Sequence, residues 1–221
     1  MTQKLRVQVF DATAAMRESS GTLYWKRAED GLSKVFFRVD KSAQYQGVAL
    51  LMEETKPGAE PRINMYSPEL RRERRINSAA LAGPLLGTDF SYEDFAQLQH
   101  IGTAGDITRL ADDELEGRAN YVLENSPDPE LSSYSKIETY LDQQWCLPVL
   151  TRFYAQNGKL LKEMVVDRST VTQQGERWLP GSITMTNHKQ GSHTVLVVEE
   201  SKADVPIPDG QFSVAKLRQG S

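Results

Sequence analysis

Polar and apolar residues alternate with a period of two along most of this chain. In residues 4–10, Leu5, Val7 and Val9 share one side while Arg6 and Gln8 share the other, the pattern of a half-buried strand. Residues 21–27 repeat it with Leu23 and Trp25 against Thr22, Tyr24 and Lys26. Residues 34–39 follow with Val35, Phe37 and Val39 together. Glu29-Asp30-Gly31 between those two runs is a turn signal, so they read as a hairpin. A short apolar run at 48–52 ends at Lys56-Pro57-Gly58, and further strands are expected at 62–66 and 71–76, on either side of Ser67-Pro68. Strands are expected again at 117–124, 136–141, 147–154, 160–167, 177–186 and 193–199. Asn157-Gly158, between two alternating runs, is the strongest hairpin signal in the chain.

Residues 79–98 depart from this rhythm. Gly83-Pro84 and Gly87 break the alternation, and Ser91 stands where a helix N-cap belongs, with Glu93 and Asp94 complementing the helix dipole. The segment predicts a loop followed by one short helix. The recurrence of strands and turns predicts one large antiparallel sheet holding more than half of the residues. No linker or repeat interrupts residues 1–219, which read as one domain. The terminal Gly220-Ser221 reads as a cloning scar.

The 221 residues suffice to bury a sizeable core, and the net charge of -4 does not suit a nucleic-acid binder. No run of about 20 apolar residues is present to cross a membrane as a helix. Residues 1–10 contain no apolar signal-peptide core, which leaves either a cytoplasmic protein or an exported one whose signal has been removed. The single cysteine, Cys146, lies between Trp145 and Leu147 and is expected to be a buried structural thiol.

The chain carries little recognisable chemistry. His100, His188 and His193 lack zinc-ligand spacing, and there is no nucleophile elbow or phosphate-binding glycine loop; Gly102 to Gly105 reads as a plain loop. No metal, cofactor or catalytic residue is therefore expected. The acidic cluster Asp112, Asp113, Glu114 and Glu116 reads as a solvated turn. The basic run Arg71-Arg72-Glu73-Arg74-Arg75 reads first as a solvated sheet face. Strand alternation would put Arg72 and Arg74 on one side, and Arg71, Glu73 and Arg75 on the other. Such a run also suits anionic lipid headgroups.

From about residue 63 to 217 the chain resembles the LolA-like outer membrane lipoprotein-sorting proteins. The matching stretches are Met65-Tyr66-Ser67-Pro68-Glu69-Leu70, Arg74-Arg75-Ile76 and the run Gly87-Thr88-Asp89-Phe90-Ser91-Tyr92-Glu93-Asp94-Phe95, which is the most specific. They continue with Tyr134-Ser135-Lys136-Ile137, Leu147-Pro148, Phe153-Tyr154, Gly158 to Lys162, Trp178-Leu179-Pro180, Met185-Thr186, His193 to Leu196, Phe212 and Leu217. The resemblance implies a mainly β fold: a curved antiparallel sheet forming an unclosed barrel, its mouth covered by short helices. It implies an exported periplasmic protein whose concave face holds lipid or lipoprotein acyl chains. Cys146 is too far from the N-terminus to carry a lipid anchor.

A carrier of this kind leaves its apolar face partly filled and covers it with a movable lid, for which residues 79–98 are the candidate. The expected lining is one alternating set per strand: Leu23, Trp25, Val35, Phe37, Val39, Ile63, Met65 and Met185. The expected function is that of a non-enzymatic carrier or receptor in lipoprotein sorting or lipid trafficking. It would act as a monomer, with an inner-membrane transporter as a candidate partner. The alternatives are a lipid-sensing regulatory module, an accessory to a lipid exporter, and an enzyme acting on envelope lipid or glycan.

Overall fold

The computed structural model of the protein describes residues 1–99 and 105–219; His100, residues 101–104 and Gly220-Ser221 lie outside the described residues. The first half contributes β1 (Thr2–Phe10), β2 (Met16–Arg27), β3 (Ser33–Ser42), β4 (Ala49–Glu53), β5 (Arg62–Ser67) and β6 (Arg72–Ile76), followed by helix α1 (Tyr92–Leu98). Next come β7 (Gly105–Arg109), β8 (Asp113–Leu115), β9 (Arg118–Pro127), β10 (Tyr134–Asp142), β11 (Leu147–Ala155) and β12 (Leu160–Val166). The chain ends with β13 (Thr172–Gln174), β14 (Arg177–Leu179), β15 (Ser182–Asn187), β16 (Ser192–Lys202) and helix α2 (Val214–Arg218).

Fourteen strands form one antiparallel sheet in the order β6-β5-β4-β3-β2-β1-β16-β15-β12-β11-β10-β9-β7, with β8 on β9. The structure is 54% strand, and the sheet curves without closing into a barrel, as the sequence predicts. Two meanders, one from each half of the chain, join where β1 pairs with β16 and Val7 faces Leu196. Register shifts at Lys4/Leu5, Ser20/Gly21, Tyr140/Leu141 and Phe153/Tyr154 bend the strands locally. At Gly21 a Cβ would lie 2.6 Å from the Phe37 ring and 2.5 Å from the Arg38 carbonyl. Only glycine lets that ring lie across the neighbouring strand.

The connection from β6 through α1 crosses the inner face of the sheet. Beneath it, Leu23, Val35, Phe37, Leu50, Met52, Ile63 and Met65 pack with Leu81, Leu85, Tyr92 and Phe95 as a filled core. The C-terminal segment covers the outer face, where Phe212 and Leu217 pack on Phe36, Ala49 and Leu51. Strands β3 and β4 are thus buried on both faces, so residues 48–52 read as a continuous apolar run instead of an alternating one. Arg38, itself buried, ties α2 down by donating to the carbonyls of Lys216 (2.8 Å) and Leu217 (3.2 Å).

Three local expectations change. Residues 177–186 are not one strand: β14 folds back on β13 as a separate two-stranded hairpin, and only β15 joins the main sheet. Pro180, which has no N–H to give a ladder, breaks the run. Part of the acidic cluster is strand, since β8 pairs with β9 with its carboxylates in solvent. Cys146 is exposed. It closes the turn between β10 and β11 at φ 51°, a left-handed position that turns its side chain away from the core.

Candidate functional site

The candidate site begins with the way α1 is pinned. Ser91 caps the helix by accepting from the Asp94 N–H (3.0 Å), and Asp94 accepts from the Ser91 N–H (2.8 Å), closing a capping box. Both acids of the first turn then continue into the sheet. The Asp94 carboxylate also takes the Tyr134 hydroxyl (2.6 Å) and the Lys162 ammonium (2.8 Å), with all three residues buried. Glu93 accepts from the hydroxyls of Ser132 and Ser133 and from the Ser133 N–H. Upstream, Asp89 accepts from Ser192 (2.5 Å) and Thr194 (2.7 Å) on β16. Burial and the Asp94 charge push the Tyr134 phenol far up, so it stays protonated and keeps donating. Burial likewise raises Glu93 against its three donors.

The run from Gly87 to Phe95 is therefore a set of anchors. Residues 79–98, expected as a movable lid, are a strut fastened to β10, β12 and β16. The strut divides the inner face. On the β2–β6 side the space is filled by the core described above. On the other side lies a cavity of about 860 Å³, within the range of ligand sites. Its walls are Phe95 and Leu98 of α1, Trp25, Leu5, Leu196 and Val198 at the centre of the sheet, and Phe153, Met164, Val166 and Ile183 beyond. Leu147 and Pro148 also line it. So do Trp178 and Leu179 of β14 and the following Pro180. The polar lining comes from Thr139, Thr151, Gln3, Gln97, Gln99, the Met1 amino terminus and the already engaged Asp94. Lys26, Arg27, Arg177 and Asp204 stand at the rim, where Lys26 pairs with Asp209 and Arg177 with Asp204 (3.4 Å).

The hairpin is held from outside the cavity. Trp178 packs on Trp145 with ring centroids 5.7 Å apart, and the Arg118 guanidinium lies 4.0 Å from the Trp145 ring. Arg118 grips the buried Asp142 carboxylate with two bonds (2.6 and 2.9 Å), and Arg168 adds a third at 2.9 Å. Arg118, with the Trp145 and Gln144 N–H groups, pulls the Asp142 pKa down to about 2. A depressed carboxylate pKa stabilises the fold above the unfolded value of about 3.9, and that contribution fades as pH falls through the folded value. Asp142→Asn is expected to cost about 2 kcal/mol or more at pH 7. Urea unfolding should show the gap to wild type closing near pH 2.

Of the eight residues expected to line the cavity, only Trp25 stands on its wall. Its indole N–H donates to the Gln99 carbonyl (3.2 Å). Phe37 and Val39 border a much smaller pocket of about 40 Å³ beside Leu85 and Leu86. Leu23, Val35, Ile63 and Met65 lie in the filled core under α1, and Met185 packs with Phe90, Tyr134 and Met164. The wall residues of β12, β15 and β16 alternate as regularly as those of β2 and β3. Their period placed them on the inner face, but nothing in it told which half α1 would fill. Among the described residues, no group of three or more His, Cys, Asp or Glu could hold a metal ion. Nor is any helix among them long and apolar enough to cross a membrane.

A protein-family model described as "Uncharacterized protein" matches residues 31–219. The chain belongs to that family, and its fold is LolA-like. Three solved structures share the fold. A domain assigned to outer membrane lipoprotein sorting from Vibrio parahaemolyticus is 24% identical with a TM-score of 0.86, over 99% of this chain and 91% of that one. A DUF1329 family protein from Desulfovibrio piger is 19% identical with a TM-score of 0.90, over 98% and 90%. A LolA superfamily protein from Nitrosomonas europaea is 19% identical with a TM-score of 0.73, over 97% and 90%. No curated protein matches the chain. In this LolA-like fold, the most specific sequence run is the one that fastens α1 across the sheet.

Proposed function

We propose that residues 1–219 act as one periplasmic binding unit that carries or receives the acyl chains of a lipid or lipoprotein, without making or breaking bonds. The observation that carries this reading is the unfilled apolar cavity beside α1. A folded sheet of this size normally packs its inner face with its own side chains, and the other half of this face does so. Here about 860 Å³ is left between walls of Leu, Ile, Val, Met, Phe and Trp. An acyl chain entering it is withdrawn from water at roughly 0.8 kcal/mol per methylene, a gain close to what a bilayer offers the same chain. Transfer between membrane and cavity then runs near balance, as a carrier requires. Of the ionisable side chains around the cavity, Asp94 is committed to Tyr134 and Lys162, Lys26 to Asp209, and Arg177 to Asp204, which supports binding over catalysis.

The test is native mass spectrometry of the protein purified without detergent, together with titration of a fluorescent fatty acid. Co-purified lipid and saturable one-site binding are expected. A wild-type protein that carries no lipid and binds no acyl probe overturns the reading.

A further inference from the structure

The cavity makes no use of the arginine run. Strand β6 is an edge of the large sheet, and Arg71 in the turn before it and Arg72, Arg74 and Arg75 within it are all exposed. Among the described residues, none of these four has a carboxylate partner at ion-pair distance, whereas Arg6, Arg109, Arg118, Arg152 and Arg168 each do. Glu73, within the run, is neutralised by a further arginine: Arg218 of α2 grips it with bonds of 2.7 and 2.8 Å. Glu69, in the preceding turn, is the remaining acid of the stretch. The whole chain carries -4, so this edge is a concentrated positive patch on a negative molecule.

We propose that the β6 edge is the surface by which the protein docks on an anionic lipid bilayer. The register sets Arg72 opposite Ser67 and Arg74 opposite Met65 on the inner side, while Arg75 opposite Asn64 lies on the outer side. The side chains of the run therefore leave the edge on both faces, and Arg74 also reaches the Tyr92 hydroxyl, which leaves Arg71, Arg72 and Arg75 to meet a headgroup layer. Charged side chains along an edge oppose the addition of another strand, which favours a bilayer over an extended peptide as the partner. A net negative body is repelled by the same bilayer, so the patch also fixes orientation. The attraction falls off within a Debye length, about 8 Å at physiological salt. The docking rests on the arrangement of charges along β6; its use in delivering cargo rests on the carrier reading above.

The test is co-sedimentation of the full chain with phosphatidylcholine vesicles and with vesicles containing phosphatidylglycerol. Binding to the anionic vesicles alone, lost in high salt, is expected. Each arginine near the surface is worth about a fivefold change in partition, so Arg71→Gln/Arg72→Gln/Arg75→Gln should weaken binding on the order of a hundredfold. The triple variant should keep its melting temperature and its affinity for the fluorescent fatty acid. Lys159→Gln/Lys189→Gln, at exposed turns elsewhere, should bind vesicles like wild type. Equal binding to both vesicle types, or an unchanged triple variant, overturns the docking surface. So does binding to polyglutamate without binding to vesicles, which would point to an acidic protein partner. Failure of the fatty acid to bind wild type, with vesicle docking intact, would sink the carrier reading alone.

Discussion

Lys162→Met is expected to destabilise the fold by about 3–5 kcal/mol, the cost of leaving a buried carboxylate without its cation. Asp94 is 1% exposed and Lys162 is 8% exposed, so water reaches the carboxylate poorly once the ammonium is gone. The same carboxylate caps α1 and holds the Tyr134 hydroxyl, and removing the cation weakens both. Against a total stability of roughly 5–15 kcal/mol, the loss should appear as a large fall in the urea midpoint. The double change Asp94→Asn/Lys162→Met removes both charges while leaving an oxygen to accept from Tyr134, and it should recover much of the loss. A double-mutant cycle with a coupling below about 0.5 kcal/mol would mean that the pair does not hold α1 to β12.

That strut shows where the sequence was legible. Ser91 followed by Glu93 and Asp94 announced a capped helix, because the N-cap needs a side-chain acceptor and the dipole favours acids in the first turn. It did not announce that both acids would be buried. Their partners, Ser132, Ser133, Tyr134 and Lys162, lie 39 to 68 positions away in sequence, and no local pattern encodes such contacts. The strands were legible for the opposite reason. Alternation is local, and it placed Leu23, Val35 and Phe37 on the inner face, where they are. Which part of that face stays empty depends on where α1 lands and where Pro180 turns β14 out of the sheet. Both are decided by tertiary packing. Cys146 failed for a smaller reason: apolar neighbours predicted burial, but the tight turn from Asp142 set the direction of its side chain.

The two halves of the inner face should respond differently to the same chemical insult, and this is the sharpest test of the cavity. Phe37 is 8% exposed, packs on Phe95 with ring centroids 6.2 Å apart, and lies over Gly21. Phe37→Glu puts a carboxylate into a filled core with no cation to meet it. Burying such a group costs several kcal/mol, enough to unfold most of the molecules at 37 °C. Val198 sits opposite Leu5, partly exposed on the cavity wall, where a carboxylate keeps some of its water. Val198→Glu is expected to melt within a few degrees of wild type and to bind the fluorescent fatty acid at least tenfold more weakly. The arithmetic is that a hydrated carboxylate excludes two or more methylenes from the wall at roughly 0.8 kcal/mol each, and about 1.4 kcal/mol is a factor of ten. Circular dichroism melts and probe titration on the two variants decide the matter. If Val198→Glu unfolds as Phe37→Glu does, the space beside α1 behaves as core. If it folds and binds the acyl chain unchanged, the chain does not lie against β16, and the cavity is not where the lipid is held.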